Sequence, residues 1–180
     1  MTRIAAVLVL ALAAGAAAAQ QTVDYAKSRV AFAAKQMSAP LEGAFRKFEA
    51  RIAWNAAKPE ASTADVTIDV GSIDLGDKLF DDEAKSKAFF NAAQFPQARF
   101  TSTAVKALGA GRHEAAGKLT IKGVTRDVVM PFTLKPDGAA SVFDGAVTIR
   151  RLDFNIGEGS WKDTGILADE VQVRVRLVAR

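Results

Sequence analysis

The sequence predicts an all-β protein of roughly eight antiparallel strands, arranged as an up-and-down barrel or a sandwich, with one short helix. Three observations carry this expectation. From Arg29 onward apolar residues recur at every second position. Turn residues punctuate those runs at short intervals. One segment alone carries acids followed by lysines in the manner of a helix.

The period of two is clearest in five places. Val30 and Phe32 share one face, and Phe48, Ala50, Ile52 and Trp54 share another against Lys47, Glu49 and Arg51. Val66, Ile68 and Val70 alternate with Thr67 and Asp69. Phe143, Gly145, Val147 and Ile149 alternate with Asp144, Ala146, Thr148 and Arg150, and Val171, Val173, Val175 and Leu177 close the chain. Successive strand side chains point to opposite faces, so such runs give each strand one apolar and one wet face.

Ala39-Pro40, Lys58-Pro59, Gly109 to Gly111, Lys122-Gly123 and Pro136-Asp137-Gly138 are the expected turns. Lys122-Gly123 suits a tight hairpin between Leu119-x-Ile121 and Val128-x-Met130, because glycine takes positive φ without a Cβ clash. Asp81 to Phe90 is the expected helix, with acids at its start, lysines late, and Phe89 and Phe90 tucking its end onto the sheet. The nearby Asp74, Asp77, Asp81, Asp82 and Glu83 lack the glycine-bearing spacing of a calcium loop and read as helix-start capping.

Residues 1–19 are expected to be a cleaved signal peptide. Arg3 supplies a positive start, Ile4 to Ala14 form an apolar stretch too short to span a bilayer, and Ala17-Ala18-Ala19 offers small residues for cleavage before Gln20. Residues 20–180 then form one domain, exported to the periplasm, with no second long apolar run. The net charge of +4 is scattered, with Arg150-Arg151 and Arg174-x-Arg176 inside alternating patterns, which gives no nucleic-acid footprint. There is no cysteine, which excludes thiol chemistry, cysteine metal sites and a lipidated N-terminal cysteine.

Catalytic patterns are equally sparse. The single histidine, His113, falls in a glycine-rich turn and reads as solvated; no Gly-x-Ser-x-Gly elbow, phosphate loop or dinucleotide fingerprint occurs. Asp153 and Glu158 read as turn residues rather than an acid–base pair. Arg151 reads either as a brace paired with Asp153 or as a contact for an anionic or carbonyl headgroup. The expectation is a binding protein, not an enzyme, needing no metal and no cofactor.

The apolar faces mix large residues with Ala34, Ala50 and Gly145, and the chain holds 11 phenylalanines but one tyrosine. An interior so poor in hydroxyls suits a tail that needs no hydrogen bonds. Phe32, Phe48, Trp54, Phe132, Phe143 and Ile149 are the expected lining, with Trp161 near one end. Small residues either leave a lumen or accommodate neighbouring rings, and the pattern alone does not separate the two.

Several stretches together resemble the YceI-like family of periplasmic lipid-binding proteins. These are Ser28-Arg29-Val30-Ala31-Phe32 with Gly43-Ala44-Phe45-Arg46-Lys47-Phe48, Lys87-Ala88-Phe89-Phe90-Asn91 with Gln94-Phe95-Pro96, Gly117-Lys118-Leu119-Thr120-Ile121-Lys122-Gly123-Val124-Thr125, and Arg151-Leu152-Asp153-Phe154-Asn155-Ile156-Gly157. They occur in the family's order along essentially all of residues 20–180, with Asn155 where glycine is usual. The resemblance implies an eight-stranded antiparallel lipocalin-like barrel with a short helical insertion. It implies a bound polyisoprenoid, isoprenoid quinone or fatty-acid-like ligand. The expected partners are that apolar lipid, with transient contact to a membrane or a membrane redox protein and a homodimer as further candidates. Rival readings are a solid-cored partner-binding stress-response module and a cryptic enzyme acting on an isoprenoid.

Overall fold

The computed structural model describes residues 19–180. The expected signal peptide therefore lies outside the described residues, apart from Ala19. Eleven strands form one continuous antiparallel sheet: β1 (Ala19–Gln21), β2 (Arg29–Gln36), β3 (Ala39–Phe45), β4 (Phe48–Trp54), β5 (Thr63–Asp69), β6 (Ile73–Asp74), β7 (Gln97–Gly109), β8 (Arg112–Ile121), β9 (Val124–Asp137), β10 (Ala140–Arg150) and β11 (Glu170–Ala179). Their order is β1-β4-β5-β7-β8-β9-β10-β11-β2-β3-β6, and α1 (Lys78–Lys85), the one α-helix among the described residues, lies between β6 and β7.

The sheet curls into a half-barrel, which corrects the expectation of a closed eight-stranded barrel. Two of the extra strands, β1 and β6, are three and two residues long, too short to show a period of two. β3 was hidden by Pro40, which pairs with Lys35 inside a strand rather than turning the chain; the turn lies at Met37 and Ser38, both with positive φ. The two flanks of the sheet meet at a seam instead of a hydrogen-bonded ladder. At its upper end residues 19–24 stitch the flanks together: β1 pairs with β4, and Thr22 and Arg180 exchange backbone bonds at 2.7 and 3.0 Å. Lower down, the Ala50 N–H on the free edge of β4 donates to the Tyr25 hydroxyl at 3.2 Å. An open groove of about 910 Å³ follows this seam.

Lys122 and Gly123 join β8 to β9 with φ of 49° and 76°, the paired positive values of a two-residue hairpin turn. α1 starts earlier than its charge pattern suggests, because Asp77 caps it by accepting from the Leu79 N–H at 2.7 Å. Asp81 accepts from the Leu75 N–H at 2.7 Å, and Asp82 pairs with Lys78 and Lys85. The acids here close a helix start.

Two packed clusters lie inside the curl. The upper one centres on Ala50, Ile52, Val66, Phe143, Leu177 and Ala179. The lower one centres on Val70, Ala98, Ile121, Ile149, Phe154 and Ile156, with Phe89 and Phe90 laid against it.

Candidate functional site: an apolar lumen in two chambers

Between the clusters the interior is not filled. Ile68, Phe100, Leu119, Val128, Met130, Val147, Val173 and Val175 line the hollow inside the curl, yet each is only half-buried. Apolar side chains of a packed core would be fully covered. An upper chamber of about 110 Å³ lies among β4, β5 and β7 to β11, and a lower chamber of about 150 Å³ reaches down to α1 and the Phe89–Phe90 segment. Val30, Ile68, Leu119 and Val173 line both, so the chambers meet at a common waist. Neither chamber exposes a polar atom.

The upper chamber ends in an aromatic box. Trp54 stands edge-on to Phe143 and Phe132, at 5.6 and 6.2 Å between ring centres. His113 belongs to this box, which corrects its reading as a solvated turn residue. It is 8% exposed, stacks on Phe132 at 5.1 Å and faces the Trp54 edge at 5.1 Å. The reason is register: His113 lies opposite Phe132 on β9, inside the strand rather than in the Gly109–Gly111 turn.

The lower chamber touches one charged residue, Arg151, which is 2% exposed. Its guanidinium is fully committed to backbone carbonyls. Nε donates to Ala168 at 3.0 Å, one terminal nitrogen to Ile156 at 2.8 Å and Gly157 at 3.5 Å, and the other to Trp161 and Leu167 at 2.6 Å each. Burial draws its pKa below the ordinary arginine value, with the charge of Asp169 opposing that effect. Arg151 is thus a brace, but one that binds carbonyls of the 156–168 loop rather than Asp153. It has no donor left for a ligand headgroup. Asn155 follows in the left-handed region at φ 56°, a conformation asparagine tolerates, which explains how it fills a position where glycine is usual.

Lys122 pins the same end. Its side chain is buried, and Nζ donates to the Lys87 carbonyl at 3.0 Å and the Asn155 carbonyl at 2.7 Å, with Glu158 at 3.7 Å. The helix segment and the 151–158 loop are thereby tied to the β8–β9 hairpin. Asp169 binds the Arg150 guanidinium and the Leu152 N–H. Burial tends to raise its pKa, but those hydrogen bonds and the charges of Arg150 and Arg151 hold it below the usual aspartate value.

Of the residues expected to line a ligand, Trp54, Phe132 and Phe143 border the upper chamber, and Phe32 and Ile149 the lower. Phe48 and Trp161 border neither chamber. Phe48 sits at the free edge of β4, where it meets the Tyr25 ring edge-on at 5.5 Å and borders the seam groove. Trp161 lies in a 3₁₀ turn (Gly159–Lys162), against Phe89 at 5.2 Å and outside the chamber wall. The waist residues were legible as inward positions of the alternating runs. Leu75, Ala84, Phe89, Phe90 and Leu167, which wall the lower chamber, come from the helix and loops and carry no periodic signal.

Comparison with known proteins agrees with this architecture. A family model described as the YceI-like domain matches residues 21–179. A UPF0312 protein of Ectopseudomonas mendocina is 32% identical over 139 residues, covering 74% of this chain and 71% of that protein. Protein YceI of Salmonella arizonae is 33% identical over 139 residues, covering 74% and 70%. Among solved structures, Burkholderia cenocepacia BcnA superposes with a TM-score of 0.86 at 47% identity, over 88% of this chain and all of that one. A polyisoprenoid-binding domain from Saccharophagus degradans, implicated in plant cell wall breakdown, shares the fold with a TM-score of 0.70 at 15% identity, over 89% and 97% of the two chains. With a curled antiparallel sheet, one short helix and a family match across nearly all described residues, the chain belongs to the YceI-like domain family.

Proposed function

We propose that this protein is a periplasmic carrier or sequestering protein that holds a long apolar isoprenoid-type lipid, or the tail of an isoprenoid quinone, in the two-chambered lumen. The observation that carries the reading is an elongated interior with half-buried apolar walls and no exposed polar atom. Such a space offers nothing to a sugar, nucleotide or peptide, whose polar groups would be stripped of water without replacement partners. A hydrocarbon chain leaves water there at about 25 cal/mol per Å² of apolar surface. The polyisoprenoid-binding name of the Saccharophagus domain supports the same ligand class.

Trp54, Phe132, Phe143, Phe32 and Ile149 are the ligand-binding residues in this reading, joined by the waist residues Val173 and Leu119. Binding needs no cofactor, and the protein acts without catalysis. Export fits the N-terminal sequence, and cleavage after Ala19 preserves the pairing of Gln20 and Gln21 with Ala53 and Ile52.

The test is organic extraction of the protein purified from its periplasm, followed by mass spectrometry. The expected result is a stoichiometric isoprenoid lipid and an intact mass beginning at Gln20. A protein that carries no lipid and takes up no prenol when one is offered sinks the carrier reading.

A further inference from the structure

The rim of the lower chamber carries unusual side chains for a surface. Leu79 and Phe80, on the first turn of α1, are 79% and 52% exposed, and Met37, at the tip of the β2–β3 hairpin, is 72% exposed. The Asp77 cap fixes that first turn, so both helix residues are held in place rather than frayed. Phe80 precedes Ala84 by four positions and shares its helix face, and Ala84 lines the lower chamber. Met37 lies just beyond the Ala34–Leu41 pair, whose two members are both in the chamber wall. Its N–H donates to the Ile166 carbonyl at 2.8 Å, beside Leu167, another wall residue. The apolar wall therefore continues outward past the rim on two separate elements.

We infer that this rim docks on the face of a neutral phospholipid bilayer, and that the hydrocarbon chain passes there between membrane and lumen. The inference rests on the carrier reading. Two features select the occupant. Apolar side chains that prolong a hydrocarbon-binding interior fit an acyl surface, into which a short amphipathic element can dip. The charge of the rim gives an anionic leaflet no advantage. Residues 77–87 hold Asp77, Asp81, Asp82 and Glu83 against Lys78, Lys85 and Lys87, and the exposed Lys35 beside Met37 brings the rim to four acids and four lysines, with Lys78 and Lys85 already facing Asp82. A rim without net charge is not drawn to an anionic leaflet and docks through its apolar side chains on a zwitterionic one.

The experiment compares the wild type with Leu79→Gln/Phe80→Gln, which keeps good helix formers on α1, and with Met37→Gln on the other element. Radiolabelled geranylgeraniol is supplied either from phosphatidylcholine vesicles or from a dilute ethanol dispersion. Both variants are expected to melt with the wild type and to load equally from ethanol. Transfer from vesicles is expected to slow about tenfold in the double variant, since two large apolar side chains no longer leave water on docking. Adding phosphatidylglycerol to the vesicles should leave wild-type transfer unchanged. Equal transfer rates, faster transfer from anionic vesicles, or a wild-type dimer that the double variant dissociates would each overturn the inference. A wild type that loads from neither source overturns the carrier reading itself, which separates the two failures.

Discussion

Replacing Val173 by phenylalanine separates a hollow interior from a packed one. Val173 lies on β11 between Val147 of β10 and Phe32 of β2, and it borders both chambers. Phenylalanine brings four more carbons than valine. In a filled core that growth forces neighbours off their rotamers and costs about 1–3 kcal/mol. Here the ring enters space, since chambers of about 110 and 150 Å³ meet at this side chain. At about 0.8 kcal/mol for each carbon removed from water, the upper limit of the gain is about 3 kcal/mol. Partial filling and lost side-chain freedom reduce it to about 0–1 kcal/mol. The same ring blocks the waist, so prenol retention should fall about tenfold or more, equivalent to about 1.4 kcal/mol. Urea unfolding and mass spectrometry of extracted lipid read the two effects on one preparation. Val70→Phe is the control, because Val70 is 1% exposed, belongs to the lower packed cluster and borders neither chamber; it should lose about 1–3 kcal/mol and still retain lipid, provided it folds. A Val173→Phe protein destabilised like the control, with lipid retention unchanged, would show that the interior is solid at the waist and refute the reasoning.

Three further outcomes follow from the same geometry. Arg151→Met should lower stability by about 3 kcal/mol or more in urea titrations, because it strips buried carbonyls of charged donors; Arg151→Lys should recover little of that loss, since an ammonium cannot reproduce the planar fork. Gly123→Val should cost about 2 kcal/mol or more in thermal unfolding, because φ is +76° and an added Cβ would stand 2.8 Å from the Phe95 ring; an unchanged melting temperature would mean that the turn adopts another form. Asp169 is held below the usual aspartate pKa in the folded state, so its contribution is full above the unfolded value and is lost as pH falls through the folded one. Wild-type stability should therefore decline on acidification below the ordinary aspartate range, and Asp169→Asn should reduce that decline; identical pH profiles would remove Asp169 from the account.

The alternation in Phe48–Trp54, Phe143–Ile149 and Val171–Leu177 determined the strands and their inward faces, because a period of two is a property of the strand itself. Lys122-Gly123 determined a hairpin for a similarly local reason, since the turn needs positive φ at both positions. The family motifs carried the family membership with them. Three features depended on contacts far apart in sequence and so were left to the tertiary structure. Whether the small residues leave space was one: Ala50 is packed into the upper cluster, whereas Gly145 borders the upper chamber, although both occupy inward positions of alternating strands. The role of Arg151 was another, because the carbonyls that hold it come from residues 156–168, brought together only when that loop folds back against the end of β2. The third was closure. A strand's sequence does not state whether its edge finds a partner, and the seam beside β4 is set by how strongly the whole sheet twists and curls.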